Sequence, residues 1–233
     1  MHMWRETYLD LFASTRSEAD IFRKLSFAVR ELGFEYCAFG TCVPFPISNP
    51  RFTLQSDYPD AWEDRYVSSN YFAVDPTVRH SLTQSMPLVW QADGQTQNLE
   101  FWEEAAHHGL RYGWSMPTIA RNGPVGLVSM VRSGEPIDPL ELVSKEYRML
   151  WLVNAVSGAM QADFAARYAV ELTSREREAL RWSASGKTYV EIGMIMSVDE
   201  RTVKFHLVNT MRKLNAMNKT EAAVKAAMLG LLW

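Results

Sequence analysis

Thr188-Tyr189-Val190-Glu191-Ile192, followed by Ser197-Val198-Asp199-Glu200-Arg201-Thr202-Val203-Lys204-Phe205-His206, is the stretch whose reading decides the C-terminal fold. Thr188 with Glu191, and Ser197 with Glu200, have the spacing of a capping box. In that motif the hydroxyl accepts an orphan N–H while the Glu reaches back to the cap's own N–H. The spacing therefore predicts two helix starts. Gly186 stands where a preceding helix needs a residue tolerant of positive φ to stop. The middle helix shows Ile192, Ile195 and Met196 at helical spacing. The next shows Val203, Leu207, Met211 and Leu214 as one apolar stripe running to Asn215.

The face opposite that stripe carries Arg201, Phe205, Val208, Asn209 and Arg212, flanked by Thr202, Lys204 and His206. A structural surface helix rarely leaves Phe and Val among cations. In a DNA major groove the mixture has a use, because cations meet phosphates and guanine edges while apolar groups touch thymine methyls. The competing reading is a solvated face with Phe205 packed on a neighbouring domain. Charge favours the groove. From Leu172 onward there are 10 Lys+Arg against 6 Asp+Glu, whereas the rest of the chain holds 14 against 21. A basic head on an acidic partner domain is the asymmetry of a nucleic-acid module.

With Glu176, Leu180 and Gly186 at the family's spacing, the segment resembles the helix-turn-helix of LuxR-type transcription factors. The resemblance implies Thr188–Met196 as scaffold helix and Glu200–Asn215 as recognition helix. Lys204, Phe205 and Val208 then fall on base-contacting positions, although Val208 replaces a residue that is often basic there. Thr188, Arg201 and Thr202 become phosphate contacts, with Arg212 on the same DNA-binding face. Asn218 with Glu221 starts a fourth helix, whose Ala222, Ala223, Ala226 and Ala227 permit close packing in a dimer.

The 233 residues are enough for two domains, each with its own core, and 47% hydrophobic with 12% aromatic content is that of a globular protein. No apolar run approaches the ~20 residues needed to span a bilayer, and there is no charged-then-apolar leader. Cys37 and Cys42 read as reduced packing residues, so the expected compartment is the cytoplasm, with no membrane partner. The expected domains are 1–162, a linker 163–171 and the head 172–233.

The N-terminal part reads as alternating helices and strands: helix Ser17–Leu32, strands Tyr36–Val43 and Arg51–Gln55, helix Asp60–Ser69, and a helix opened by Asp75-Pro76 through Leu82. Asn98–His108 is a helix stopped by Gly109. Trp114–Ala120 and Gly126–Arg132 pair around Asn122-Gly123, the strongest hairpin signal in the chain. Pro139–Met160 closes the domain as a long helix. The fold class is α+β: an N-terminal α/β/α sandwich on an antiparallel sheet, plus a C-terminal all-α, four-helix helix-turn-helix domain.

The middle of this domain is crowded with Tyr58, Trp62, Tyr66, Tyr71, Phe72, Trp90, Phe101, Trp102 and Trp114. Tyr and Trp have polar tips that want partners when buried, so such a cluster beside Asp75 suits an amphipathic ligand pocket. An ordinary aromatic core with Asp75 merely capping the helix at Pro76 reads equally well from these residues alone.

The spacing Trp62-x-x-x-Tyr66, Asp75-Pro76, Trp90 and Gly113, joined to that head, is similar to the acyl-homoserine-lactone receptors of the LuxR type. His107–Trp114 and Arg201–His206 most resemble an orphan member lacking its own synthase gene. The resemblance implies that the Trp62 indole N–H donates to a lactone carbonyl and Asp75 accepts the amide N–H. It also has the Tyr58 and Ser129 hydroxyls donate to the amide carbonyl. Tyr66, Trp90, Phe101 and Trp102 supply apolar walls, while small Ala38 and Gly40 leave room for acyl chain. A buried carboxylate without partners costs several kcal/mol, so an empty pocket leaves Asp75 as a liability that ligand relieves.

The implied protein is a ligand-gated regulator, and more often an activator in this family. Its partners are an N-acyl-homoserine lactone, double-stranded promoter DNA, a second copy of itself and RNA polymerase, with no further cofactor. Adjacent His107 and His108 point apart on a helix and lack a third zinc ligand, so no metal is expected. No nucleophile elbow or Cys–His pair marks an enzyme. The rival inputs are a non-lactone signal or none. A phosphorylated receiver is excluded because Tyr36–Val43 runs into Pro-Phe-Pro rather than an acidic cluster.

Overall fold

In the computed structural model, which describes residues 3–15, 17–43, 46, 49–119 and 125–233, the chain divides into two compact units between Asp163 and Phe164. Strand alternation organises the first. Among the described residues its sheet has five strands: β1 (Tyr36–Val43), β2 (Arg51–Ser56), β3 (Leu88–Gln91), β4 (Tyr112–Ile119) and β5 (Val125–Arg132). They pair antiparallel in the order β2-β1-β5-β4-β3.

Successive side chains of a strand point to opposite faces. Cys37 and Phe39 of β1, Trp114 of β4, and Val128 and Met130 of β5 enter one core. They meet helices α1 (Met3–Ala13), α2 (Glu18–Glu31) and α6 (Pro139–Arg167) through Tyr8, Phe12, Ile21, Leu25, Met149, Leu152 and Val156. The intervening residues Ala38, Gly40, Ser115, Ser129 and Val131 serve the other face. There α3 (Asp60–Ser68), α4 (Pro76–Thr83) and α5 (Leu99–His107) cover the sheet. The α/β/α sandwich expected from the sequence is the fold observed.

Two elements of this unit are not legible in the sequence. Helix α1 is anchored by Trp4, Tyr8 and Phe12, with Trp4 edge-on to Tyr147 and Trp151. Strand β3 is four residues long and, among the described residues, pairs only with β4. The Asn122-Gly123 turn lies outside the described residues, and the strands flanking it pair as far as Ile119 opposite Val125. Helix α6 continues to Arg167, into the segment read as a linker.

The second unit contains α7 (Ser174–Ala184), α8 (Tyr189–Met196), α9 (Glu200–Lys213) and α10 (Lys219–Met228). Thr173 with Glu176, and Thr188 with Glu191, close complete capping boxes, and Asn218 accepts from Glu221 N. Ser197 does not cap α9. At φ +54° it ends α8 in the left-handed region, and Asp199 takes the cap instead, accepting from Thr202 N at 2.7 Å. The connection turns this tightly because a Cβ on Gly193 would lie 2.7 Å from the Val198 carbonyl oxygen.

Ile192, Met196, Val203, Leu207 and Leu214 fill the core with Leu180, Ala222 and Ala226, whereas Ile195 is exposed. Glu176 is 4% exposed, and its Oε2 accepts both Thr173 N and the Lys213 ammonium, each at 2.8 Å. It ties the start of α7 to the end of α9. No described helix is long and apolar enough to cross a membrane.

Candidate ligand cavity and nucleic-acid interface

A cavity of about 320 Å³ opens between the sheet and helices α3 and α4. Its floor is Ala38, Gly40, Leu127 and Ser129, small or apolar residues that alternate on β1 and β5. Tyr58, Trp62, Tyr66 and Asp75 gather along its walls with Thr77 and Val78. Phe52, Leu54, Val67, Leu82 and Val125 also line it, and all five are exposed, so the outer part of the cavity is apolar.

Asp75 is both cap and cavity wall. Its Oδ1 accepts from Thr77 N at 2.8 Å and from Thr77 Oγ1 at 2.7 Å, starting α4 ahead of Pro76, while Oδ2 accepts from Tyr66 Oη at 2.9 Å. The expectation of an unpartnered carboxylate is therefore corrected: Tyr66, Thr77 and the Val78 backbone N–H all meet it. Burial still pushes its pKa up against those hydrogen bonds. Burial likewise raises the Tyr58 and Tyr66 phenols, with nearby Asp75 adding to the rise, so both keep their protons and serve as donors.

Three expected wall residues lie elsewhere. Trp90, Phe101 and Trp102 are buried beside the cavity in the aromatic cluster that supports Trp62, and they do not line it. Trp62, 2% exposed, stacks on Tyr71 and meets Phe101 edge-on, each at 5.7 Å between centroids. Trp90 lies flat over Gly113, where a Cβ would come within 2.1 Å of its ring. Its Nε1 donates to Ser115 Oγ at 2.8 Å, and Ser115 Oγ is 2.8 Å from Ser129 Oγ. Trp90 thus reaches the cavity floor through two hydroxyls.

Thr77 and Ser115 are the residues sequence reasoning missed. Thr77 follows Asp75-Pro76 at the spacing of an Asp side chain capping its second neighbour. Ser115 sits opposite Ser129 in the β4–β5 register, which only the pairing reveals.

In the second unit, Arg201, Lys204, Phe205, Val208 and Arg212 fall at the one-face spacing of α9, and all are exposed, Phe205 at 63% and Val208 at 49%. Thr202 is half-buried beneath them. The Thr188 hydroxyl is spent on its capping box, donating to Glu191 Oε2 at 2.9 Å. Such a mixed cationic and apolar helix face, on the second helix of a helix-turn-helix, suits a major groove.

Residues 17–160 match the autoinducer binding domain, and residues 170–226 match the bacterial regulatory proteins of the luxR family. The chain is 39% identical over 239 residues to transcriptional activator protein AnoR of Acinetobacter nosocomialis, covering all of both. A crystal structure of Escherichia coli SdiA superposes with a TM-score of 0.86 at 30% identity, over 99% of this chain and 98% of that one. SdiA in complex with octanoyl-rac-glycerol gives 0.84 at 31%, over 98% and 95%. Cavity and helix-turn-helix together define a ligand-responsive transcription regulator, and the chain belongs to the LuxR-type quorum-sensing regulators.

Proposed function

We propose that this regulator binds an N-acyl-homoserine lactone in the N-terminal cavity. As a homodimer it then engages a near-palindromic promoter site through α9 and acts with RNA polymerase as an activator, as AnoR is named. The observation that carries the ligand reading is the cavity's polarity. Tyr58, Trp62, Asp75 and Ser129 supply donors and one acceptor in the same space whose outer part is apolar. A lactone head with an amide and a greasy tail has the complementary pattern.

In this reading Trp62 donates to the lactone carbonyl, Asp75 takes the amide N–H, and Tyr58 and Ser129 donate to the amide carbonyl. Either hydroxyl of the Ser115–Ser129 pair can donate; with Ser115 as donor, the Ser129 proton serves the ligand or the Tyr58 oxygen. Lys204, Phe205 and Val208 meet base edges, while Arg201, Thr202 and Arg212 hold the phosphate backbone, with Thr188 committed to its cap. Two heads in successive major grooves require the two-fold symmetry of a dimer.

A second ligand chemistry is favoured by one observation, the SdiA complex with octanoyl-rac-glycerol, whose head also presents oxygens ahead of an acyl tail. One experiment separates the two. The full chain is expressed with a panel of acyl-homoserine lactones or with 1-octanoyl glycerol, and soluble yield, melting temperature and operator binding are measured. A ligand that binds only the folded form raises the melting temperature by mass action. A response to lactones that Asp75→Ala abolishes is the expected result. No response at any chain length, or one unchanged in Asp75→Ala, overturns the lactone reading.

A further inference from the structure

Asp57 stands between the last residue of β2 and the cavity residue Tyr58, and its side chain serves the opposite face of the sheet. Its backbone N–H donates to the Cys37 carbonyl oxygen at 3.1 Å, one step past the pairing of Ser56 with Ala38. The return bond is different. Cys37 N donates to Asp57 Oδ1 at 2.6 Å, a side-chain oxygen in the place that a backbone carbonyl fills in an antiparallel pair. A side chain thus closes the ladder, and the chain leaves the sheet at Tyr58.

The other carboxylate oxygen, Oδ2, accepts from Ser26 Oγ at 2.5 Å and from the Arg30 guanidinium at 3.1 Å, both on α2. Ser26 and Cys37 are buried, so without Asp57 each would be a stranded donor. Tyr58 is also restrained from its other side, because a residue before proline is confined to extended backbone. Pro59 O then accepts from Trp62 N at 2.8 Å as α3 begins. Between these two fixed neighbours the Tyr58 phenol reaches Ser129, with the Tyr36 ring edge-on at 6.3 Å.

We infer that Asp57 is a positioning residue for the head-group end of the cavity. By tying the end of β2 to Cys37, Ser26 and Arg30 on the α2 side, it sets where the Tyr58 hydroxyl meets a ligand carbonyl. The inference rests on the lactone reading and extends it to a residue that does not line the cavity. A side chain that only held the sheet together would affect stability and leave recognition through Tyr58 untouched. Asp57 acts on both, and the two effects separate once the Tyr58 hydroxyl is removed.

The test uses the full chain as wild type, Asp57→Ala, Asp57→Asn, Ser26→Ala and Tyr58→Phe, with each Ala variant also made in the Tyr58→Phe background. Each is titrated with N-octanoyl- and N-dodecanoyl-homoserine lactone by calorimetry, well below its ligand-free melting temperature. Asp57→Ala is expected to melt lower and to lose about tenfold in lactone affinity. In the Tyr58→Phe background it melts lower by the same amount but costs no more than about twofold in affinity. Asp57→Asn keeps an oxygen for the Cys37 N–H and restores affinity to within about threefold of wild type.

Equal losses of affinity in the two backgrounds, or full affinity in Asp57→Ala, overturn the inference. If Asp57→Ala does not fold, Ser26→Ala makes the same comparison by removing one donor to the carboxylate. A loss of about threefold that is confined to the Tyr58 background supports the inference, and an equal or absent loss overturns it. Wild type binding neither lactone overturns the lactone reading itself, and this inference with it.

Discussion

Tyr66 Oη lies 2.9 Å from Asp75 Oδ2, while the other oxygen of the same carboxylate is occupied by the backbone and hydroxyl of Thr77. One side chain of the cavity is thus held from α3 on one oxygen and from α4 on the other. Its orientation is set before any ligand arrives.

Asp75→Asn is expected to keep the helix cap, since Asn is as good an N-cap as Asp. It should leave the ligand-free melting temperature within a few degrees of wild type while weakening lactone binding at least tenfold. Asp75→Ala loses both, at about 1 kcal/mol for the cap. Thermal melts with and without ligand check this, and equal ligand affinities for wild type and Asp75→Asn would remove Asp75 from the site.

The direction of the Asp75 shift gives a pH signature. Its folded pKa is raised by burial. The favourable contribution is therefore complete below the ordinary Asp value of about 3.9 and is lost as pH rises through the raised value. Relative to Asp75→Asn, ligand-free wild type should lose stability over that rise. Lactone affinity should increase over the same range, because a donor meeting the ionised carboxylate favours proton release. Calorimetry in buffers of different ionisation enthalpy measures the released proton.

Glu141 behaves oppositely. Hydrogen bonds from Arg132 and then Lys145 hold its pKa down to about 2. Its stabilisation is present above the ordinary Glu value of about 4.3 and is lost as pH falls toward 2. Glu141→Gln should flatten the acid-induced loss of stability of the N-terminal unit in that window, as followed by near-ultraviolet circular dichroism against pH.

Trp90→Phe removes the N–H that Ser115 accepts, together with part of the outer ring that lies over Gly113. The buried hydrogen bond predicts a loss of about 1 kcal/mol. Ligand affinity should fall several-fold even though Trp90 does not line the cavity, because the Ser115–Ser129 pair is released. Ser129→Ala in the Trp90→Phe background should then add little further loss. Fully additive effects would show that the hydroxyls do not act as one unit.

On the DNA side, Lys204→Ala should weaken operator binding and change the preferred sequence. Arg212→Ala should lower affinity evenly across sequences and reduce the salt slope by about one. Phe205→Ala, removing a side chain 63% exposed, should cost operator preference with no loss of fold stability. Mobility shifts at several salt concentrations on matched and scrambled operators separate these effects.

How much of this was legible follows from the range of the interactions. Caps and stripes are local, so α7 to α10 and the faces of α9 can be read from neighbours three and four residues apart. The misreading of the α9 cap, Ser197 for Asp199, comes from two acceptors lying two residues apart, and backbone geometry at Ser197 decides between them. In the N-terminal unit, β1, β5 and the helix at Pro76 carry strong local signals. By contrast β3 has four residues and owes its place to Trp90 lying on Gly113 across the sheet. The cavity followed the same rule. Asp75, Trp62, Tyr58 and Tyr66 come to the cavity through the family resemblance, since the residues alone read equally well as an aromatic core, and Trp90, Phe101 and Trp102 read as wall because residue type does not tell lining from support. Ser115 required the strand register.

The double use of Asp75 also bears on how such a cavity diverges. A residue that only touched ligand would be free to change whenever the signal changed. Here most substitutions at Asp75 also remove the start of α4, and only a residue that still caps, such as Asn, escapes that cost, so this end of the cavity is slow to drift.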